Sequence, residues 1–160
     1  MNTQHAQPVN KELLFEVQLN WLSKQKGVLW ADDVDGTLHV ATPVAFGGEG
    51  NEWSPEHLFL SSISSCFMTT FLVFAKKFQF DISRFECTAS GKVELVEGRF
   101  QFTRVIIFPK IYVTDETKLE KAHTALQKAE KYCLIANSLK TEVICQGMIL
   151  QTPQPQYSIQ

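Results

Sequence analysis

Leu58 to Ala75 runs for eighteen residues without a charge. A stretch of this kind has two homes: a bilayer, which takes about 20 apolar residues to cross, or the centre of a folded domain. Its own composition decides. Ser61, Ser62, Ser64, Ser65, Thr69 and Thr70 make a third of it hydroxylic. That argues for a buried core helix, and no membrane role is expected. Ser54 can cap the helix, Pro55 suits its first position, and Glu56 favours the positive end of the dipole. The pattern predicts a helix to about Lys77, with Lys76 and Lys77 at its negative end.

Around this helix the periodicity is mostly that of strands. Leu13, Phe15, Val17, Leu19 and Trp21 alternate with Leu14, Glu16, Gln18 and Asn20, which predicts a half-buried strand. Lys26-Gly27 and Asp35-Gly36 are turn signals, and strands are expected at Val28 to Ala31 and Thr37 to Ala41. The run Gly47-Gly48-Glu49-Gly50-Asn51 is a loop. After the helix, a strand from Phe85 to Leu95 is expected to break or kink near Gly91. Glu97-Gly98 turns the chain into a strand from Phe100 to Val113, where Pro109 marks an edge or a bulge. Thr114 is placed as the cap of a second helix. On it Leu119, Ala122, Leu126, Ala129 and Cys133 recur at spacings of three and four, one buried stripe. A short helical piece at Leu134 to Leu139 precedes a last strand, Glu142 to Leu150.

Strands in blocks around two long helices predict an α+β fold with antiparallel sheet. The chain of 160 residues is read as a single domain, with loosely ordered ends at 1–11 and 151–160. A net charge of -2 gives no electrostatic case for nucleic acid or an anionic membrane. The N-terminal residues lack a basic start followed by an apolar run, so a cytoplasmic protein is expected.

In such a compartment a cysteine is core filler or a reactive thiol. Cys66, Cys87, Cys133 and Cys145 form no CxxC unit, which excludes a zinc knuckle or a dense disulfide scaffold. Cys87 and Cys145 lie on inward rows of strands and read as core. Cys66 sits mid-helix among small hydroxyls that can hydrogen-bond a thiolate. Cys133 closes the apolar stripe where the second helix is about to break. By position alone each of these also reads first as core. Nothing local brings them together across sixty-seven residues.

Two motifs carry a resemblance. Trp53-Ser-Pro-Glu-His-Leu-Phe-Leu-Ser-Ser-Ile-Ser-Ser-Cys-Phe67 is similar to the OsmC/Ohr signature, a Pro-Glu-x-Leu helix start with the first cysteine ten residues after the glutamate. Ala129-Glu-Lys-Tyr-Cys-Leu-Ile-Ala-Asn-Ser-Leu139 resembles the second motif of that family, Cys-Pro-x-Ser-Asn. The likeness extends from about Phe15 to Leu150. It implies an intertwined homodimer with long helices at the centre and sheets outside, and a thiol-dependent peroxidase acting on organic, and also hydrogen, peroxides. Cys66 would be the peroxidatic cysteine, Cys133 the resolving one, and Glu56 the carboxylate that organises the site. No metal, haem or flavin cofactor is implied. The partners would be a hydroperoxide substrate and an external dithiol reductant, of lipoyl or small-thiol type. The chain departs from the pattern at Leu134, where the family has proline, and at Ala136, where it has serine. The early-hairpin arginine of the hydroperoxide-resistance branch is also missing: the region reads Lys24-Gln25-Lys26-Gly27, and a lysine there offers a point charge without the planar fork. A divergent OsmC-like member is expected. A non-catalytic protein of the same fold, binding a small apolar ligand or sensing redox state, is the other reading these departures leave open.

Two further expectations concern the site. On one straight helix ten residues rise about 15 Å, so Glu56 and Cys66 cannot touch. A bridging side chain, an interrupted helix or a dimer interface would have to connect them. Phe59, Ile63, Phe67 and Phe71 give the surroundings of Cys66 an apolar character that would favour organic hydroperoxides over hydrogen peroxide.

Overall fold

The computed structural model describes residues 12–152. The chain divides into two compact units, Met1–Pro55 and Glu56–Gln160.

The first unit carries an antiparallel sheet in the order β1 (Gln18–Ser23), β2 (Lys26–Trp30), β3 (Leu38–Ala41). The strand expected from Leu13 begins only at Gln18, because Gln18 already pairs with Trp30, the last residue of β2. The alternating residues before it have no strand to pair with, and Leu13, Phe15 and Val17 are exposed. The β1–β2 turn is built on Lys24 at φ +48°. The Trp21 indole donates to the Lys24 carbonyl at 2.8 Å.

The second unit is a helix-on-sheet structure. Helix α1 (Pro55–Phe78) is long and apolar enough to cross a bilayer by composition, yet it works as the expected core helix. Ile63, Phe67, Phe71 and Ala75, each four residues apart, are buried. They pack in one core with Val105, Ile107, Ile111 and Val113. Strands β4 (Ile82–Val96) and β5 (Arg99–Val113) form a long antiparallel hairpin. Gly91 leaves room for neighbouring side chains: a β-carbon there would lie 2.5 Å from the Phe102 ring and 2.9 Å from Leu60 of α1. The strand does not break at this glycine. It shifts register just beyond it, between Lys92 and Val93.

Beyond β5 the structure departs from the expected antiparallel sheet. A 3₁₀ turn at Glu116–Lys118 leads into helix α2 (Leu119–Tyr132), then the short α3 (Leu134–Asn137). The cap is Asp115, which accepts from Thr117 N at 2.9 Å; Thr114 instead donates to the Asp81 carbonyl. Helix α2 carries the chain back along the sheet, so β6 (Glu142–Cys145) and β7 (Met148–Gln151) run parallel to β5. The sheet is therefore mixed. The expected last strand is split in two at Gln146 and Gly147. Pro109 explains the split. It is fully buried in the central strand rather than on an edge. The ladder with β6 ends at Ile107 and that with β7 starts at Lys110, leaving a gap where proline has no N–H to give. Gly147 fits there because a β-carbon would press on Leu126 at 2.9 Å and on Pro109 at 3.1 Å. The expected loose ends lie outside the described residues, apart from Gln151, paired with Val113, and Thr152, whose N–H donates to Val113 O at 3.0 Å.

Candidate active site

Cys66 lies at the edge of the buried stripe of α1, one residue before Phe67 and three after Ile63. Its side chain is half-buried. The hydroxyls around it do not serve it. Ser62, Ser64, Ser65, Thr69 and Thr70 all donate to carbonyls of their own helix, and the last two share the Cys66 carbonyl at 3.0 and 2.8 Å. The expected hydroxyl support for a thiolate is therefore absent among these five.

Cys133 comes to the same place from the end of α2. Ala122, Ala125 and Ala129 bury that helix against the core, and Tyr132 packs its ring 5.8 Å from Phe74 of α1. The helix ends because Cys133 adopts extended backbone, φ −62° and ψ 109°. The same residue opens α3. Its side chain is 1% exposed. Cys66 packs against the core cluster that contains Cys133, close enough to help raise the Cys133 thiol. Burial, helped by Cys66, pushes the Cys133 thiol up to about 11, against the N–H groups of Ala136 and Ile135, which hold it down. Both cysteines are free thiols.

Sequence reasoning gave Asn137 no role. Its amide Nδ2 donates to the carbonyls of Lys131 and Cys133, both at 2.9 Å, and its backbone N–H donates to Cys133 O at 3.0 Å. The signal was present, because asparagine stands in the second motif four residues after the cysteine.

Glu56 is not brought to Cys66. Helix α1 is continuous through both, so an interrupted helix is ruled out as the link. The rise of about 15 Å stands between them. Glu56 Oε2 is buried with no hydrogen-bond partner, one of two such side-chain atoms among the described residues. In the first unit Lys24 and Lys26 both pair with Glu49, Lys26 at 3.2 Å, and hold its carboxyl below the usual range. The lysines considered in place of the missing arginine are therefore engaged with a carboxylate. Ile63, Phe67 and Phe71 face the sheet as core, and Phe59 stacks on Phe102 at 4.5 Å. These side chains are occupied by packing, so they give no basis for the expected substrate preference. Among the described residues no three His, Cys, Asp or Glu side chains gather as metal ligands.

The arrangement is thus a half-exposed thiol on α1 packed in one core cluster with a buried thiol at the end of α2, over one sheet. Solved structures share it as a fold. An OsmC-like protein of unknown function from Vibrio cholerae matches with a TM-score of 0.76 at 21% identity, over 86% of this chain and 100% of that one. An organic hydroperoxide resistance protein from Elizabethkingia anophelis matches at 0.70 and 18%, over 90% and 100%. One from Legionella pneumophila, described as an organic hydroperoxide resistance protein OsmC, matches at 0.66 and 18%, over 88% and 99%. No curated protein matches the sequence. The family model for OsmC-like protein matches residues 48–146, which takes in both cysteine motifs, and the chain belongs to that family.

Proposed function

We propose that this protein is a cysteine-based reductase of organic hydroperoxides, with Cys66 as the attacking thiolate and Cys133 as the resolving thiol. The observation that carries this is the packing of two free thiols, sixty-seven residues apart in sequence, in one core cluster, near enough for Cys66 to raise the Cys133 thiol. The names of two structural neighbours, organic hydroperoxide resistance proteins, support the choice of substrate.

The roles follow from exposure. Cys133 is buried and its proton is tightly held, so attack on an incoming peroxide falls to Cys66. The Cys66 thiolate attacks the distal peroxide oxygen. The O–O bond breaks, the alkoxide takes a proton and leaves as alcohol, and Cys66 becomes a sulfenic acid. The Cys133 sulfur then attacks the Cys66 sulfur. Its proton leaves with the hydroxyl as water, and a disulfide forms. An external dithiol, the two-electron reductant, restores both thiols by exchange. Glu56, remote from Cys66 along α1, takes part through an intervening donor or across a subunit interface. Its unpartnered buried oxygen supports such a role. We place the protein in the cytoplasm, as a homodimer. The dimer is supported by α1, where Ser65, Thr69 and Val73 share an exposed face and Val73 is 64% exposed. A solution mass of one chain would remove the dimer.

The test is a disulfide map by mass spectrometry after one equivalent of cumene hydroperoxide. A Cys66–Cys133 bond formed as peroxide disappears is expected. Free thiols with persisting peroxide would sink the assignment.

A further inference from the structure

The resolving step needs the Cys133 sulfur to stay over Cys66 while the latter is a sulfenic acid. Yet Cys133 occupies a weak place in the chain. It is the single residue between α2 and α3, extended between two helical segments. The end of an α-helix leaves carbonyls without intrahelical partners, and a short following helix contributes little rigidity. The next residue, Leu134, has free φ where the second motif has a ring-locked proline.

One side chain crosses this break. Asn137 Nδ2 takes the Lys131 carbonyl from the last turn of α2 and the Cys133 carbonyl from the break itself, both at 2.9 Å. Its own N–H takes the Cys133 carbonyl a second time, at 3.0 Å. On the other side, Cys133 N donates to Ala129 O at 2.9 Å. The backbone of Cys133 is thus tied to α2 by its N–H and to Asn137 by its carbonyl, and Asn137 is tied back to α2. We propose that Asn137 is a positioning residue for disulfide formation, a clamp across the α2–α3 break that holds the Cys133 sulfur on Cys66. This rests on the peroxidase reading above.

A neutral amide does this at short reach. It donates two N–H bonds to two carbonyls, whereas a carboxylate donates none and would repel both oxygens. The clamp also has a backbone substitute. Leu134 is the first residue of α3, where proline is tolerated, and Cys133 already has the extended conformation that a following proline requires.

The experiment follows two phases in the full chain after mixing with cumene hydroperoxide: oxidation of Cys66, read by dimedone trapping, and closure of the disulfide, read by acid-quenched mass spectrometry. N137A and N137D are expected to leave the first phase within about twofold of the parent. They should slow the second about tenfold, as loss of two hydrogen bonds allows, and Cys66 sulfinic acid should accumulate. Adding L134P to N137A should restore closure. Unchanged closure in both Asn137 variants overturns the proposal. Equal slowing of both phases also overturns it, because it marks a general loss of structure. If the parent protein oxidises at Cys66 without ever closing a disulfide, the two-cysteine reading itself fails, and the clamp with it.

Discussion

Two pairs of cysteines share one core in this protein, and they teach that burial alone does not make a redox site. Cys66 on α1 and Cys133 at the end of α2 pack in one cluster, and Cys66 helps raise the Cys133 thiol. Cys87 adds a small charge contribution to the rise at Cys145 across the sheet. Burial pushes both Cys133 and Cys145 up to about 11, with Glu130 adding to the rise at Cys145. The rise of Cys133 and of Cys145 therefore does not tell the pairs apart. Strand geometry can. Cys87 pairs with Pro109 and Cys145 with Ile107, so β5 lies between them. Two strand spacings put their α-carbons about 9.5 Å apart before any stagger is counted. A disulfide needs about 4.4–6.8 Å. The sheet keeps its cysteines apart, while the two helices bring theirs into one cluster.

The largest expected break in this comparison is in turnover. Cys66→Ser should lower peroxide consumption by about 10³-fold or more, since a serine hydroxyl is not an equivalent nucleophile at neutral pH. Cys133→Ser should still consume about one equivalent in forming the Cys66 sulfenic acid and a second in over-oxidising it to the sulfinic acid, then stall. Cys87→Ser and Cys145→Ser should stay within about twofold of the parent. Steady-state peroxide assays with a dithiol reductant, paired with a single-turnover measurement, separate these cases. Loss of turnover in Cys145→Ser with the fold intact would erase the distinction between the pairs.

How much of this was legible in the sequence depends on the range of the interaction. The uncharged stretch and its Pro55-Glu56 start gave α1 to within a residue of its end at Phe78. The spacing of Ala122, Ala129 and Cys133 gave the buried face of α2. The two motifs gave the family. What was lost lay in competition between partners. The serines and threonines near Cys66 looked available, but inside a helix their hydroxyls reach carbonyls three or four residues back before they reach a sulfur. The direction of β6 and β7 depends on where α2 delivers the chain, which no local period encodes. Pro109 read as an edge because the rule assumes a continuous neighbour, and here the neighbour is interrupted opposite the proline. The packing of Cys66 and Cys133 in one cluster is long-range, and only the resemblance anticipated it.

The smallest expected effect sharpens the comparison from the side on which the pairs agree. A thiol whose native pKa lies above its unfolded value binds its proton more tightly when folded. The stabilisation is fully present below the ordinary value of 9.0 and is lost as pH rises towards about 11. For Cys133, which is 1% exposed, two units correspond to about 2–3 kcal/mol at most. Cys145 is half-buried, so its share is smaller but of the same sign. Urea unfolding under reducing conditions at several pH values from 8 to about 10.5 reads this directly. Cys133→Ala and Cys145→Ala should each reduce the steepness with which stability falls above pH 9, Cys133→Ala by more, while lysine and tyrosine titration contributes equally to all three proteins. An unaltered slope in Cys133→Ala would mean that its thiol is not held neutral by burial, and the assignment of attack to Cys66 on grounds of exposure would lose its support. A slope change in both variants, larger in Cys133→Ala, alongside the unequal turnover, would show that burial holds a thiol neutral in each pair while placement in the fold decides which pair can close.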